Sequence, residues 1–497
     1  MFDNHELTVT LSIQSPDTAL QDSQSVLTSI DQLLALNGWV AALCSTLARP
    51  FGQNKESDAY DALIQANHMY YIGIVVHSAD HFLVDQLAVI VQLAKTLGNQ
   101  NIFVSMLDYH SSDSTETLID LTEAVMILLG VPYRIRRVPS MTSNPSQAYY
   151  PAEEAYMRNM ALEPLKELYV KRKIKFHRVI WLKGFTCPND ILENIKVSIV
   201  NDAAMVCGMD WSEYNGFYIF SDRWVVISPS NYWPQGPDLI LSWRTRDIRG
   251  DQFRQAKSSS KPDAGPPRDP QGAERYARHL PFQVFCCESG THVVDPSQSY
   301  YNDIMYRYGT DYYNATLDTA GTGMPEREAG APCLDSAQAW FCRDLWVHKA
   351  AIGVERAREL EEKTTKRAWR PVRRAEPELE VQVGDREEPA RGAPGAEDED
   401  ADVGADYDAM NGEEQPPALP ETASEPGYVP NSAYTPARIL VNPRCVTTYA
   451  GVSHTQLARD LFGSDLETEG DSGKGRAKHT LDTWQPAPES FVCQEQA

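Results

Sequence analysis

RVIWL at residues 178–182, KGFTCPND at 183–190, ILENI at 191–195 and AAMVCG at 203–208 form the stretch that decides the fold. Five apolar-rich residues with β-branched and aromatic side chains predict a buried strand, and Gly184, Pro188 and Asn189 predict a turn. The apolar spacing of Ile191, Leu192 and Ile195 predicts an amphipathic helix, and a second strand run follows at once. That run leads through Met209, Asp210 and Trp211 into FYIFSDRW at 217–224. Strand, polar turn, helix, strand, with polar residues just past the strand ends, is how open α/β sheets build a ligand crevice at their carboxyl edge.

Two upstream units repeat the pattern. MYYIGIVV at 69–76 reads as a strand, HSAD at 77–80 as a turn and residues 83–97 as a helix stopped by Gly98. NIFVSML at 101–107 is again a strand, 108–115 a polar loop and 116–129 a helix stopped by Gly130, with a third short strand at 133–138. Strands alternating with helices at this spacing imply a mainly parallel sheet with right-handed crossovers. Residues 151–169 read as a helix. Pro229, Pro234 and Pro237 break an apolar segment at 225–243, and a Ser, Pro and Gly-rich loop covers 257–273. LPFQVFCCESGTHVVD at 280–295 reads as strand, Gly turn and strand, 335–346 as a helix, and ordered sequence returns at ARILVNPRCV, 437–446.

The net charge of −24 is unevenly spread. Between Pro371 and Pro430, 17 acidic residues face 4 basic ones, so more than half of the charge lies in a Pro, Gly and Glu-rich segment that cannot offset chain entropy by apolar burial. The acidic balance of the rest excludes a general nucleic-acid binder, which needs clustered Lys and Arg. The nine cysteines include no CxxC pair, so a zinc site is not expected. Cys333, Cys342 and Cys445 would permit a disulfide or two in an oxidising compartment, and buried free thiols are the equal alternative. One sequon, Asn314-Ala-Thr316, points weakly to the same compartment. No signal peptide is visible and no run approaches ~18 apolar residues; residues 26–48, interrupted by Asp31, Gln32 and Asn37, read as an amphipathic helix.

Several polar residues stand where a crevice would form. Asp108 and Asp113 bracket the loop after the second strand, where carboxylates can accept hydrogen bonds from a base or ribose, or else serve as turn formers and helix cap. Arg158 and Asn159 could reach a phosphate from their helix, or lie on a solvated face. Asp210, Asp222 and Asp247 lie near Trp211, Trp224 and Trp243, a combination suited to sugars because rings cover apolar sugar faces while acids bind hydroxyls. Glu288 and His292 flank Gly290 and suit a pocket, with a structural histidine as the alternative; His454 is a candidate metal ligand. No phosphate-loop glycine motif is present, which leaves a nucleotide-binding regulator without support.

Taken together, NIFVSMLDYHSSDST (101–115), RNMALEPL (158–165), residues 175–190, AAMVCGMDW (203–211), LPFQVFCCESGTHVVDP (280–296), FCRDLW (341–346) and NPRCVTTYAGVSH (442–454) resemble the fungal capsule-associated α-1,3-mannosyltransferase family, glycosyltransferase family 69. The resemblance implies an α/β, GT-A-like glycosyltransferase domain over 67–348 and 437–465. It leaves an N-terminal helical or irregular region at 1–66, a disordered acidic linker at 349–436 and a tail at 466–497. It further implies a GDP-mannose donor, a divalent cation such as Mn²⁺, a mannose-containing glycan acceptor, and a Golgi membrane setting with an anchor that this chain is expected to lack. Asp108, Asp113, Arg158, Asn159 and Lys183 would then hold the donor, and Asp210, Asp222, Asp247 and Glu288 would lie at the catalytic crevice.

The chain departs from the family pattern at two further places. Where many relatives carry an Asn-Asp pair after the strand ending at Leu182, this chain has Lys183-Gly184. A protonated lysine cannot ligate a hard cation, but its charge can neutralise a diphosphate leaving group; the same substitution favours a non-catalytic glycan-binding or assembly role as the rival reading. Removing 225–243 would give SDRWRTRDIRGD, which looks like an uninterrupted family motif, so that segment reads as a retained intron.

Overall fold

β1 (Tyr70–Val76) is the strand on which the first half of the sheet is built, with parallel neighbours β2 (Ile102–Tyr109) and β4 (Arg178–Trp181). Its sequence YYIGIVV is buried almost throughout, as a parallel strand covered on both faces requires. A short helix α1 (Asp61–Gln65) precedes β1; crossover helices α2 (Leu83–Leu97) and α3 (Thr115–Leu129) link β1 to β2 and β2 to parallel β3 (Tyr133–Val138), and α4 (Tyr150–Arg172) leads back to β4. The mixed α/β class and the parallel sheet expected from the sequence are therefore found. In the computed structural model the described residues are 60–141, 150–214, 217–220, 245–251, 253, 266, 268–287, 290–308, 336–368, 435–448 and 479–486. The expected helix at 26–48, the 225–243 segment, the sequon and the acidic linker beyond Ala368 lie outside them.

At the β3 edge the sequence YRIRRV puts three arginines on an edge strand, and each meets acids of a flanking helix. Arg134 pairs with Glu167 and Arg136 with Glu163 on α4; Arg137 pairs with Glu116 and Asp120 on α3. Charged edges of this kind discourage edge-to-edge association.

The second half of the sheet is mixed. Antiparallel β10 (His292–Val294) lies between β4 and β6 (Met205–Tyr214), and β11 (Ile439–Thr448) runs parallel to β6. β9 (Phe282–Cys286) and β8 (Arg246–Asp247) complete the order β3-β2-β1-β4-β10-β6-β11-β9-β8, with β5 (Phe185–Thr186) on β11 and β7 (Phe217–Phe220) on β6. The two strands flanking Gly290 are thus not neighbours: β6 and β11 separate them. Disulfides fix this rearrangement, because Cys287 bridges Cys207 of β6 while Cys286 bridges Cys342 of α7 (Ala337–Ala368). Cys445 is a buried free thiol, so both alternatives for the cysteines occur.

Helix α5 (Pro188–Val200) follows the turn at Lys183-Gly184, and α6 (Pro270–Ala277) precedes β9. A C-terminal strap closes the far side, where Leu481 and Trp484 pack on Val197, Ala203, Val206 and Leu440. Leu481 N–H donates to Asn201, and Gln485 exchanges hydrogen bonds with Gln283. The chain divides into two compact units, one of residues Met1–Ile352 with Tyr434–Ala497 and one of Gly353–Ala433. The described part of the second is the continuation of α7 to Ala368, so the charged stretch beyond Lys349 begins as helix. No helix among the described residues is long and apolar enough to cross a membrane.

Candidate active site

The parallel strands β1, β2 and β4 end at one edge, and the loops leaving them are laced together. Ser111 Oγ donates to Asp108 at 2.5 Å and accepts from the Ser78 N–H at 2.8 Å, so the loop after β2 is tied to the loop after β1. The Ala79 N–H donates to Thr115 Oγ1 at 2.7 Å, and His77 Nδ1 lies 2.6 Å from the Tyr109 carbonyl. Ser78 and His110 both adopt positive φ, at 48° and 49°, which non-glycine residues take up only where their surroundings impose it.

Between the ends of β2 and β3 this lacing leaves a 240 Å³ pocket lined by Asp108, His110, Ser111, Glu116, Arg137, Val138 and Pro139. Asp108 is buried. Asp113, at the same loop, accepts from the Thr115 N–H at 3.0 Å and the Asp80 N–H at 3.3 Å, and these hydrogen bonds outweigh a burial effect and hold its carboxyl below the ordinary range. Asp113 thus serves as a helix-start acceptor while its neighbour Asp108 faces the pocket.

Lys183 stands at the exit of β4 on a fixed backbone. Its N–H donates to Thr291 Oγ1 and its carbonyl accepts from the same hydroxyl, both at 3.1 Å. Thr291 Oγ1 lies 2.8 Å from Thr186 Oγ1, which lies 2.7 Å from Thr447 Oγ1, so three buried hydroxyls join β5, β11 and the start of β10 beneath the lysine. Gly184 continues the turn at φ 41°, and Gln86 of α2 donates to its carbonyl at 2.8 Å. Gly290 has φ 63°, and a Cβ there would stand 2.9 Å from Thr447 Oγ1 and 3.2 Å from the Gly208 carbonyl carbon, so only glycine fits.

Beneath this edge, His292 is fully buried with Nδ1 3.1 Å from the Gly290 carbonyl. Burial holds its imidazole well below the ordinary value, and the charges of Lys183 and Arg158 push the same way. Arg158 itself is buried: it pairs with Glu154 at 2.7 Å, donates to Gln338 at 2.6 Å and lies over Tyr306 and Trp181 at 4.8 and 5.6 Å. Asn159 Nδ2 donates to the Tyr306 carbonyl at 2.7 Å and its Oδ1 accepts from the Tyr306 N–H at 3.1 Å. These two expected donor ligands have internal partners that hold α4 to the 300–306 segment.

Of the expected catalytic acids, the described residues include Asp210 and Asp247, which stand on different strands, β6 and β8. Asp210 is buried on β6, opposite Thr447 of β11 in the sheet register, and burial raises the neighbouring Cys445 thiol, helped by the charges of Asp190 and Asp210. Asp247 accepts from the N–H groups of Arg249 and Asp251 at 2.9 Å and of Arg268 at 3.0 Å, which closes a turn at the β8 edge of the sheet. Asp222, Glu288 and His454 lie outside the described residues.

The structure also adds groups not singled out from the sequence. Arg137 and Glu116 were readable only as strand and helix residues, and Thr186, Thr291 and Thr447 only as residues favoured in strands; contacts across 21 to 261 residues bring them together. Among the described residues no three His, Cys, Asp or Glu side chains gather as cation ligands, and the β4 exit carries an ammonium group, which does not ligate a hard cation.

No curated protein matches the chain. Among solved structures, S. aureus TarS 1-349 shares 9% identity at a TM-score of 0.25, covering 48% of this chain and 50% of that one. Glucosyl-3-phosphoglycerate synthase from Mycobacterium tuberculosis shares 15% at 0.20, covering 31% and 47%. The mannosyltransferase PcManGT from Pyrobaculum calidifontis, in complex with GDP-Man and Mn²⁺, shares 12% at 0.18, covering 34% and 46%. The chain spans about half the length of these structures, and likenesses of this size carry no argument. The family described as Cryptococcal mannosyltransferase 1 matches residues 69–322, just over half of the chain, from the start of β1 through β10. The matched span holds the laced loops, the pocket and the Lys183 turn, and the chain belongs to this mannosyltransferase family.

Proposed function

We propose that the protein transfers mannose from GDP-mannose, in α-1,3 linkage, onto a mannose-containing glycan of a capsule or cell-wall polysaccharide or of a glycoprotein. The observation that carries this reading is the Lys183 turn: a cation on a rigid mount at the exit of a central parallel strand, in a chain of a mannosyltransferase family. In the transfer, the bond between the anomeric carbon and the diphosphate oxygen breaks as the acceptor hydroxyl oxygen bonds to that carbon, negative charge develops on the departing GDP, and the hydroxyl proton passes to the freed diphosphate oxygen. A preorganised positive group at that point stabilises the charge without reorganisation during the reaction. Lys183 takes that role, and the laced loops after β1 and β2 position the nucleotide end. The bridges Cys207–Cys287 and Cys286–Cys342 suit an oxidising compartment, and the reading assigns the protein to the Golgi.

The same lysine favours the rival role, a family member that binds glycan or supports capsule assembly without turnover. Incubating the full chain with GDP-mannose and α-mannoside oligosaccharides, with mass detection of the product, separates the two. A product one hexose heavier, with its linkage fixed by NMR, is expected; glycan binding without product or nucleotide binding would select the rival.

A further inference from the structure

We propose that Lys171, Arg172, Lys173 and Lys175, at the turn leaving α4, form a second glycan site that binds an anionic polysaccharide, one bearing carboxylate or phosphate groups. The inference goes beyond the transfer proposed above, and a glycan-binding family member without turnover would carry the patch equally.

The sequence concentrates positive charge here. In a chain of net charge −24, the run VKRKIK at 170–175 holds four cations, and no acid occurs between Glu167 and Asp190. The fold gathers the run at one turn. α4 ends at Arg172, Lys173 turns the chain back at φ 59°, and the N–H groups of Lys173 and Ile174 donate to the carbonyls of Tyr169 and Leu168, each at 3.2 Å. All four cations are exposed. The helix macrodipole favours cations in the last turn and so accounts for Lys171 and Arg172, but Lys173 and Lys175 lie past it. Glu167 pairs with Lys171 at 2.7 Å, whereas no carboxylate among the described residues pairs with Lys173 or Lys175. Tyr169 and Tyr301 stack with centroids 4.1 Å apart, and the Lys175 ammonium lies over Tyr169 at 5.8 Å. That ring pair fixes the charge before a ligand arrives.

The remaining polyanions fit less well. Lysine is depleted at protein interfaces and arginine enriched, and this patch has three lysines to one arginine. The anionic lipid surface is that of the cytoplasmic leaflet, and nucleic acid lies on the same side, whereas the bridges Cys207–Cys287 and Cys286–Cys342 suit an oxidising compartment. A charged glycan is the polyanion met there. The position also suits a second site. β1 and β4 start side by side at Tyr70 and Arg178 and run parallel toward the laced loops and Lys183. The patch therefore stands at the amino edge, roughly 20 Å from that other edge, and a polymer held on it leaves the carboxyl edge open.

Binding of the full chain to polygalacturonate, to neutral dextran and to vesicles containing phosphatidylserine tests the assignment. At about 0.1 M salt, where a Debye length of about 10 Å screens the distant acids, polygalacturonate is expected to bind at least about tenfold more tightly than dextran. At about 1 M salt that advantage is expected to vanish. Lys173→Glu with Lys175→Glu is expected to weaken polygalacturonate binding at least about tenfold. Lys95→Glu with Lys363→Glu changes the net charge equally at exposed positions elsewhere and is expected to cost at most about twofold. Melting curves identify folded variants, and should charge reversal prevent folding, Lys173→Gln with Lys175→Gln carries the test with a loss of about threefold or more. Equal loss in the two reversed pairs, equal binding of polygalacturonate and dextran, or sedimentation with the vesicles without binding of the polyuronate overturns the proposal.

Discussion

Thr291 grips the backbone of Lys183 from both sides: its hydroxyl accepts from the lysine N–H and donates to the lysine carbonyl, at 3.1 Å in each case. The residues are 108 positions apart, and the contact fixes the exit of β4 against the start of β10. Thr291→Val keeps the shape and removes the hydroxyl, leaving polar groups of Lys183 and Thr186 without this partner. Loss of a buried hydrogen-bonding partner costs about 1–3 kcal/mol. The expected outcome is a lower chemical-denaturation midpoint with weakened nucleotide binding, while Thr291→Ser retains both. An unchanged midpoint in Thr291→Val would contradict the role given to the hydroxyl.

Gly290 carries the turn that delivers Thr291. With φ 63° and a Cβ position 2.9 Å from Thr447 Oγ1, Gly290→Ala adds both left-handed strain and overlap. Left-handed backbone alone costs about 1–2 kcal/mol in a residue with a Cβ. A fall in unfolding free energy of at least that size is expected, measured by urea titration; a neutral substitution would mean that the turn is not as tight as described.

How far the sequence led is clearest at this turn. The strand at 178–182, the break at Lys183-Gly184 and the helix after it were legible because apolar runs and turn residues are local signals, and the same holds for the two β-α units before them. The placement of β10 between β4 and β6 was not, because a three-residue strand carries no pairing information and its ladders join it to residues 80 or more positions earlier in the chain. Among candidate site residues, Asp108 was legible as a polar residue past a strand end. Arg158 and Asp247 read equally well as ligands, since sequence cannot tell an exposed arginine from one buried against Glu154, Trp181 and Tyr306, or a crevice acid from one closing a tight turn.

Asp190 gives the fold a pH dependence. Burial between α5 and β11 pushes its carboxyl up to about 8 from an ordinary 3.8, against a hydrogen bond from the Val446 N–H, with Glu193 nearby adding to the rise. The folded state therefore holds this proton where the unfolded chain has released it, and the linkage makes stability fall as pH rises from about 4 to about 8. Asp190→Asn keeps an acceptor for Val446 and removes the titration. It is expected to melt higher than wild type at pH 7 to 8, with the difference vanishing near pH 4. Parallel melting curves at all pH values would contradict a raised Asp190.

The bridges Cys207–Cys287 and Cys286–Cys342 hold adjacent residues to β6 and to α7. Closing loops of this size stabilises by about 2–4 kcal/mol per bridge. Reduction is expected to lower the melting temperature, and the pair Cys207→Ala with Cys287→Ala to reproduce part of that loss. Mass spectrometry of the unreduced protein checks the pairing, and free thiols at all four positions would refute it.

Titration of GDP-mannose into the full chain in the presence of EDTA, with wild type and Lys183→Ala side by side, tests the central claim most directly. The account predicts saturable binding by wild type without any divalent cation, and at least about tenfold weaker binding by the variant, the size expected for loss of a charge-assisted contact. Binding that appears only after Mn²⁺ is added, with Lys183→Ala indistinguishable from wild type, would contradict it.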